Sequence, residues 1–180
     1  MQARLTVVDP FAAVIGGEIN TLSMPLWTPW PVPFGWTFGG FAHAEASESG
    51  GAASVASWSG TDPFGDPAEI VFVCEEAGAG VGSHFADLPM SYPGHGVGEG
   101  PPHAKFTLEG RPVPLWAVEA APDRAVYAGE AAGRWLWVIV HPIESGAIMV
   151  QPIQLVDARA LGAELTVLPV GELSPRLVVD

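Results

Sequence analysis

The sequence predicts a mainly β protein (α+β): one twisted, partly curled antiparallel sheet of roughly six to eight strands, with about one to three short helices. Gly and Pro supply 22 and 18 of the 180 residues, which favours short elements and many turns over long helices. The strongest apolar run, Arg134–His141, is apolar on both faces if it is extended. We therefore expect it inside the sheet, covered above and below, and paired across a turn at 130–134 with a strand that follows Asp123.

Charge and composition exclude several classes of protein. The net charge is −13, and no Lys or Arg lies between Arg4 and Lys105. A surface for nucleic acid or for an anionic membrane needs clustered cations, so neither partner is expected. The longest apolar run, 135–140, is far shorter than the ~20 residues of a membrane-spanning helix. The N-terminus lacks the pattern of a secretory signal, and the single cysteine, Cys74, cannot form an internal disulfide, so we expect a cytoplasmic protein.

The chain divides into three parts in this interpretation. Residues 1–24 form an N-terminal lead-in that is either loose or partly ordered, with a helix over 10–15 docked on the body. Residues 25–162 form a single globular domain, and residues 163–180 form a C-terminal extension. No internal repeat or interior linker is found in the sequence.

The domain begins with a ribbon rich in proline and tryptophan, Met24–Trp36. Such dense prolines impose an extended or polyproline conformation, and indole rings need burial or a partner. The ribbon is either a ligand for another protein's groove or an extended segment laid across its own core, and the second interpretation is favoured. In either case Trp27, Trp30 and Trp36 are the residues that we expect to make apolar contacts.

Alternating and apolar stretches predict the remaining strands. They are expected at 36–44, 52–59, 69–75, 104–109, 113–118 and 153–156, with hairpins joining the first two and the fourth to the fifth. Pro112 and Pro114 place the fifth of these strands at a sheet edge, because proline cannot donate to a ladder. Short helices are expected over 83–88, capped by Ser83, and over 145–150.

The glycine-rich segment Gly78–Gly82 lies between a predicted strand and a predicted helix. The dinucleotide fingerprint G-x-G-x-x-G would need glycine where Ser83 stands, and Glu75 and Glu76 just upstream would repel a pyrophosphate. A plain turn is favoured over a phosphate site.

Catalytic and metal-binding patterns are not found in the sequence. The five histidines and Cys74 are spread one to a segment, with no paired spacing that would arrange metal ligands. Cys74 lies in the middle of a predicted strand, where a buried thiol is the ordinary case. We predict no metal, no cofactor and no catalytic residue; whether the protein is an enzyme stays open, with the balance against it.

A group of charged residues near the loop 92–102 offers a second hypothesis. His103, Lys105, Glu130 and Arg134 fall in the span where cations are concentrated. They would bind a small anionic ligand with the loop as a lid, or they would form ion pairs such as Arg134 with Glu130. The ion-pair interpretation is favoured.

Several short segments resemble a known family. They are Gly100–Lys105 (GPPHAK), Pro114–Val118 (PLWAV), Asp123–Glu130 (DRAVYAGE), and the W-x-x-W-P-x-P pattern from Trp27 with the following Gly35-Trp36. Together with the tryptophan strand they resemble a family of uncharacterised actinobacterial proteins, a domain of unknown function, over about 25–161. The resemblance implies that many relatives begin with a cysteine-rich, zinc-ribbon-like segment, which this sequence does not carry. Some relatives bear acetyl- or phosphotransfer labels, which no residues here support.

Two functional hypotheses follow. The first is a non-enzymatic protein-interaction or structural domain, whose strip of Trp27, Trp30 and Trp36 contacts another protein or a second copy in a homodimer. The alternative is a protein that binds a small anionic ligand, or an acyl- or phosphotransfer-type enzyme, with its site near 92–105.

Overall fold

Ten strands form one mixed sheet in the computed structural model, which describes residues 4–48 and 50–178. The strands are β1 (Thr6–Val8), β2 (Trp27–Pro29), β3 (Thr37–Ala44), β4 (Ala53–Thr61), β5 (Pro67–Glu75), β6 (Ala104–Leu108), β7 (Arg111–Val118), β8 (Ala125–Ala131), β9 (Arg134–His141) and β10 (Gln154–Asp157). The order across the sheet is β1-β3-β4-β5-β9-β8-β7-β6-β10-β2. The predicted class, a mainly β protein with one partly open sheet and few short helices, is confirmed.

The predicted number of strands and their purely antiparallel arrangement were wrong. The two strands that the sequence did not predict, β1 and β2, have 3 residues each, too few to show alternation. β2 also lies inside the proline-rich ribbon, where strand patterns are weak. The pair β6 and β10 is parallel, because the chain returns to the edge of β6 through the 3-10 helix Ile143–Val150.

The tryptophan strand β9 lies where the sequence places it, between β5 and β8. Its residues from Leu136 to His141 are buried, and Trp137 is fully so, whereas Trp135 is half-buried. The turn to β8 consists of Ala132 and Gly133, both with positive φ (53° and 77°), which suits a two-residue hairpin. The strand is therefore covered on both faces, as predicted.

The two faces of the sheet carry separate apolar layers. The inner layer is enclosed because the sheet curls and β2 packs across β4 and β5. Large members of the inner layer are Trp27, Trp58, Phe72, Phe106 and Leu155. The outer layer lies on the opposite face, beneath the helix α2 (Val81–Ala86) and the C-terminal segment, and includes Val73, Phe85, Trp137, Ile139 and Leu177.

Strand β7 is not at an edge, which corrects the prediction made from its two prolines. It pairs with β8 only over Trp116–Val118, whereas Pro112 and Pro114 lie in the part that pairs with β6 alone. Leu115 O accepts a 2.9 Å hydrogen bond from His103 N, so the neighbours of the prolines are directed towards β6. The proline nitrogens, which carry no N–H, consequently point to the side of β8, along the part of β7 that β8 does not pair with.

The helices are short, as expected. The helix α1 (Pro10–Gly16) is capped by Asp9, whose Oδ1 accepts from Phe11 N at 3.0 Å. The N-cap of α2 is Gly80 with no side-chain bond, so the predicted Ser83 cap was wrong. Among the described residues no helix is both long and apolar enough to cross a membrane.

The terminal segments pack on the sheet. At the N-terminal end, β1 extends the sheet beside β3. At the C-terminal end, Phe38 N donates to Pro169 O at 2.7 Å and Ser174 N donates to Gly39 O at 2.9 Å, so this segment runs along β3. The division of the chain at 24 and 162 stays a prediction.

Candidate functional site

The four residues predicted to bind an anion are spread over separate elements. His103 Nδ1 already accepts a 3.0 Å bond from Ala117 N, and Arg134 Nη1 donates to Ala132 O at 3.3 Å. Lys105 is exposed on β6 and Glu130 is exposed on β8, with β7 between these strands. The cavities described below are lined by none of the four.

The predicted ion pair within this group is not formed either. No salt bridge joins Arg134 to Glu130 within 4–48 and 50–178. The adjacent loop is tied down at its end, because Trp116 Nε1 donates to Gly100 O at 3.2 Å. The group therefore has no shared geometry of its own, and its ligand-binding role stays a prediction.

The tryptophans of the ribbon differ in their exposure. Trp27 lies in β2 and is 4% exposed, and Trp36 is 8% exposed with its ring stacked on the backbone of Gly60. Trp30 is half-buried against the inner layer. The indoles thus serve the core of this chain, as the favoured interpretation of the ribbon expected, and a strip made of all three is not available to a partner.

The aromatic residue of the ribbon that is exposed to solvent is instead Phe34, whose side chain is fully exposed. It lies in Pro-Val-Pro-Phe-Gly, between the half-buried Trp30 and the buried Trp36. A second exposed apolar residue, Val150 (84% exposed), ends the 3-10 helix Ile143–Val150. Together with Phe64 (77% exposed), these residues are the largest departures from burial at this end of the sheet.

Phe34 and Val150 are each next in the chain to a residue that lines one narrow apolar cleft. The cleft is lined by Pro29, Pro33, Trp36, Trp58, Ile70, Phe72, Ile148, Gln151 and Ile153, so Pro33 and Gln151 link it to its two exposed neighbours. Its volume is about 20 Å³, room for about one water molecule. A partner would therefore lie across the rim of the cleft. We call Phe34, Val150 and this cleft the apolar rim.

The turn that carries Phe64 is joined to the same 3-10 helix. Asp62 Oδ2 accepts a 3.0 Å bond from Ser145 Oγ, and both side chains are buried. Asp62 also orders its own turn, accepting from Asp66 N at 3.0 Å. Exposed carboxylates, Asp66 and Glu144, lie on these elements. The surroundings of the apolar rim are therefore acidic.

The glycine-rich segment before α2 has a structural use. Glu75 Oε2 accepts from Val81 N at 2.8 Å and from Gly82 N at 3.1 Å. A phosphate at this turn would need these two N–H groups, which the carboxylate of the chain already occupies. The segment is a turn fastened to β5, in line with the interpretation that the sequence favours.

No group of three or more His, Cys, Asp or Glu side chains in the described part of the chain is arranged to hold a metal ion. The exposed Phe34 and Val150 were missed by sequence reasoning. For Phe34 the available signal was an aromatic residue between two prolines and a glycine, where no alternation directs it to a core. Val150 gave no such signal.

Comparison with family models supports one part of the resemblance, that to a domain of unknown function. The model of a family of unknown function (DUF6758) matches residues 4–177. Neither the curated proteins nor the solved structures contain a significant match to this chain.

Proposed function

Because the chain belongs to this family of unknown function, we propose its role from its own surfaces: it is a protein-interaction domain that binds a partner segment across the apolar rim. The single observation that carries the proposal is the exposure of Phe34, 103% of its reference value, beside an apolar cleft. A large aromatic ring on a rigid, proline-bounded ribbon loses little conformational entropy on binding, which suits a contact residue.

The surrounding charge favours a basic partner. The whole chain carries −13, and no Lys or Arg lies between Arg4 and Lys105, a span that includes the ribbon and the turn with Phe64. Glu144 and Asp66 add exposed negative charge to the elements around the rim. The proposed partner therefore offers apolar side chains flanked by Lys or Arg, which the field of this protein attracts.

A second copy of the chain is disfavoured as the partner. Two molecules that each carry −13 repel one another, and the acidic rim would meet an identical acidic rim. Light scattering after size exclusion distinguishes the two cases, since the proposal expects a monomer. A stable dimer that dissociates in Phe34→Ser would support the homodimer instead.

The compartment and origin are further parts of the proposal. We place the protein in the cytoplasm of an actinobacterium, on the support of its single buried cysteine and of the resemblance described above.

A random peptide library displayed on phage tests the proposal. The wild-type chain is the bait, and the double variant Phe34→Ser, Val150→Ser is used for counter-selection. We expect enriched peptides that combine apolar residues with flanking Lys or Arg, since these match the rim in chemistry.

The chain offers a matched control. Phe11 and Ile15 are exposed apolar residues on α1, at 63% and 69%, and Phe11→Ser, Ile15→Ser removes a comparable apolar surface elsewhere. Enriched peptides should bind this control variant as they bind the wild type. The proposal is overturned if no peptide is enriched, or if enriched peptides depend on α1 rather than on the rim.

A further inference from the structure

A separate cavity of about 480 Å³, lined by both polar and apolar residues, lies at one end of the outer layer. Its polar lining comes from β4, β5, β9, the segment before β8, and the C-terminal segment: Ser59, Glu69, His141, Asp123 and Arg176. Its volume falls in the range of small-molecule sites in proteins, about 300–1,000 Å³. Phe34 and Val150 do not line it, so the cavity is independent of the apolar rim.

The cavity lies where three neighbouring strands replace apolar residues with polar ones. Glu69 is paired with Ser59 on β4 and with His141 on β9, so the three form one row across the sheet. Residues directly opposite one another point to the same face, and Val71 and Ile139 two positions away belong to the outer layer. This row of three polar residues therefore lies at the end of the outer apolar layer and forms the floor of the cavity.

Glu69 holds Arg176 over this floor. Its Oε2 accepts a 2.8 Å bond from Arg176 Nε, and its Oε1 accepts a 2.6 Å bond from Ser57 Oγ. Ser174 Oγ also donates to Oε1, which ties the C-terminal segment to β5. Both oxygens of the Glu69 carboxylate are thus engaged, and Oε2 holds the Arg176 guanidinium through Nε, one of the three guanidinium nitrogens.

The two terminal nitrogens of Arg176 have no hydrogen-bond partner among residues 4–48 and 50–178. The Arg176 side chain is 40% exposed, so these donors are accessible from the cavity that the residue lines. A guanidinium held through Nε presents a planar pair of donors, the geometry that binds a carboxylate.

His141 is the second unused group. It is 5% exposed, it lines the cavity, and its ring makes no hydrogen bond to any described residue. Burial, with Arg176 and Arg124 adding to it, lowers the pKa of His141 to about 4. The imidazole is therefore neutral near pH 7 and offers one donor and one acceptor.

The other charges select the class of ligand. Asp123 is bound by Arg124, with Nε–Oδ1 at 2.8 Å and Nη2–Oδ2 at 3.1 Å, and Glu69 is bound by Arg176. Neither carboxylate is left to attract a cation, and the two ion pairs leave a net charge near zero, which suits a singly charged anion better than a dianion such as phosphate. One cation remains with free donors.

We propose that this cavity binds a small organic monocarboxylate, held by the terminal nitrogens of Arg176, with Ser59 and His141 bonding a polar substituent of the ligand. The neutral imidazole suits a hydroxyl or keto group, because it can donate or accept. The ligand lies between strand ends and the C-terminal segment, so binding also ties that segment to the sheet.

Saturation-transfer NMR on the full chain at pH 8 tests this inference, with L-lactate, pyruvate and benzoate as probes, lactamide as the uncharged counterpart, and inorganic phosphate, mostly the dianion at this pH. We expect at least one of the acids to bind saturably and at least about tenfold tighter than lactamide and phosphate. Arg176→Gln should weaken that binding by at least about tenfold, and Arg176→Lys by less.

Arg111→Gln is the matched control, since Arg111 is exposed on β7, makes no side-chain hydrogen bond within the described ranges, and does not line the cavity. This variant should bind the acid as the wild type does. If Arg176→Gln fails to fold by thermal unfolding, Arg176→Lys decides, because it keeps the charge beside Glu69. The inference is overturned if none of the acids binds, if phosphate binds as tightly, or if the folded Arg176 variants bind as the wild type does.

Discussion

Glu75 Oε1 accepts a 2.8 Å hydrogen bond from the indole Nε1 of Trp137, and both side chains are buried. The other oxygen of Glu75 accepts the N–H groups of Val81 and Gly82. Burial raises the pKa of Glu75 above its ordinary value, although the three donors favour the charged form. One carboxylate thereby joins β5, β9 and the start of α2, and it holds α2 in place over the outer layer.

We expect Glu75→Gln to destabilise the fold by about 1–3 kcal/mol, because all three partners are donors and the glutamine NH₂ would face one of them. Urea unfolding monitored by tryptophan fluorescence measures the change. Glu119→Gln is the control, since Glu119 is exposed and should stay within about 0.5 kcal/mol of wild type. Equal stability of Glu75→Gln and wild type would show that this carboxylate does not hold α2 on the sheet.

Gly82→Ala should also destabilise the fold. A Cβ at Gly82 would overlap the indole of Trp137, which is fully buried and cannot move away. We expect a loss of about 1–3 kcal/mol from overpacking. At Gly96, where a Cβ would meet nothing within 4 Å, the change to Ala should be close to neutral by the same measurement. A neutral Gly82→Ala would contradict the close packing of α2 on β9.

The thiol of Cys74 should be unreactive in the folded chain. It is 1% exposed in β5, and burial raises its pKa to about 12. At pH 8 we expect Ellman's reagent to label it at least about a thousandfold more slowly than it labels the chain unfolded in guanidinium. Because the sequence has one cysteine, the rate reports this site alone. Rapid labelling of the folded protein would mean that β5 is accessible.

Stability should fall with acid partly through His141. Its folded pKa, about 4, lies below the ordinary value of 6.5, so its contribution is complete above about pH 6.5 and is lost as the pH falls towards 4. Protonation of His141 lowers the free energy of unfolding by up to about 3 kcal/mol. Arg176 and Arg124 oppose protonation, whereas Glu69 and Asp123 favour it.

Urea unfolding at pH 7.5 and 4.5 tests this dependence in the wild type and in His141→Gln. Carboxylates that titrate between these two pH values lower the stability of both proteins. The difference between the stability lost by the wild type and that lost by the variant therefore isolates His141. We expect the smaller loss in the variant. Parallel losses would contradict the buried, neutral imidazole.

The sequence predicted those parts of the fold that depend on local pattern. The β8–β9 hairpin follows from an apolar run bounded by Ala132 and Gly133, and β3 to β5 follow from alternation and from the turns that separate them. The short strand β2 could not be found, because Trp27 pairs with Asp157, far along the chain, and three residues show no period. Long-range pairing of this kind depends on how the sheet curls.

Side-chain destinations were less predictable than strands. Lys105 and Arg134, which the sequence analysis grouped as one cluster of cations, end on different strands without a common cavity. By contrast, Glu69, His141 and Arg176 are separated by long stretches of sequence and meet through strand register and through the path of the C-terminal segment. Exposure of Phe34 was likewise hidden, since the ribbon buries two of its three tryptophans and leaves the phenylalanine outside.

The affinity of the best peptide selected on the wild-type chain tests the proposed interaction most directly. Fluorescence anisotropy gives its dissociation constant for the wild type, for Phe34→Ser, Val150→Ser and for Phe11→Ser, Ile15→Ser. We expect binding at least about tenfold weaker to the first variant, a loss of more than about 1 kcal/mol of binding free energy, and unchanged binding to the second. Equal affinity for all three folded chains would contradict a binding surface at Phe34.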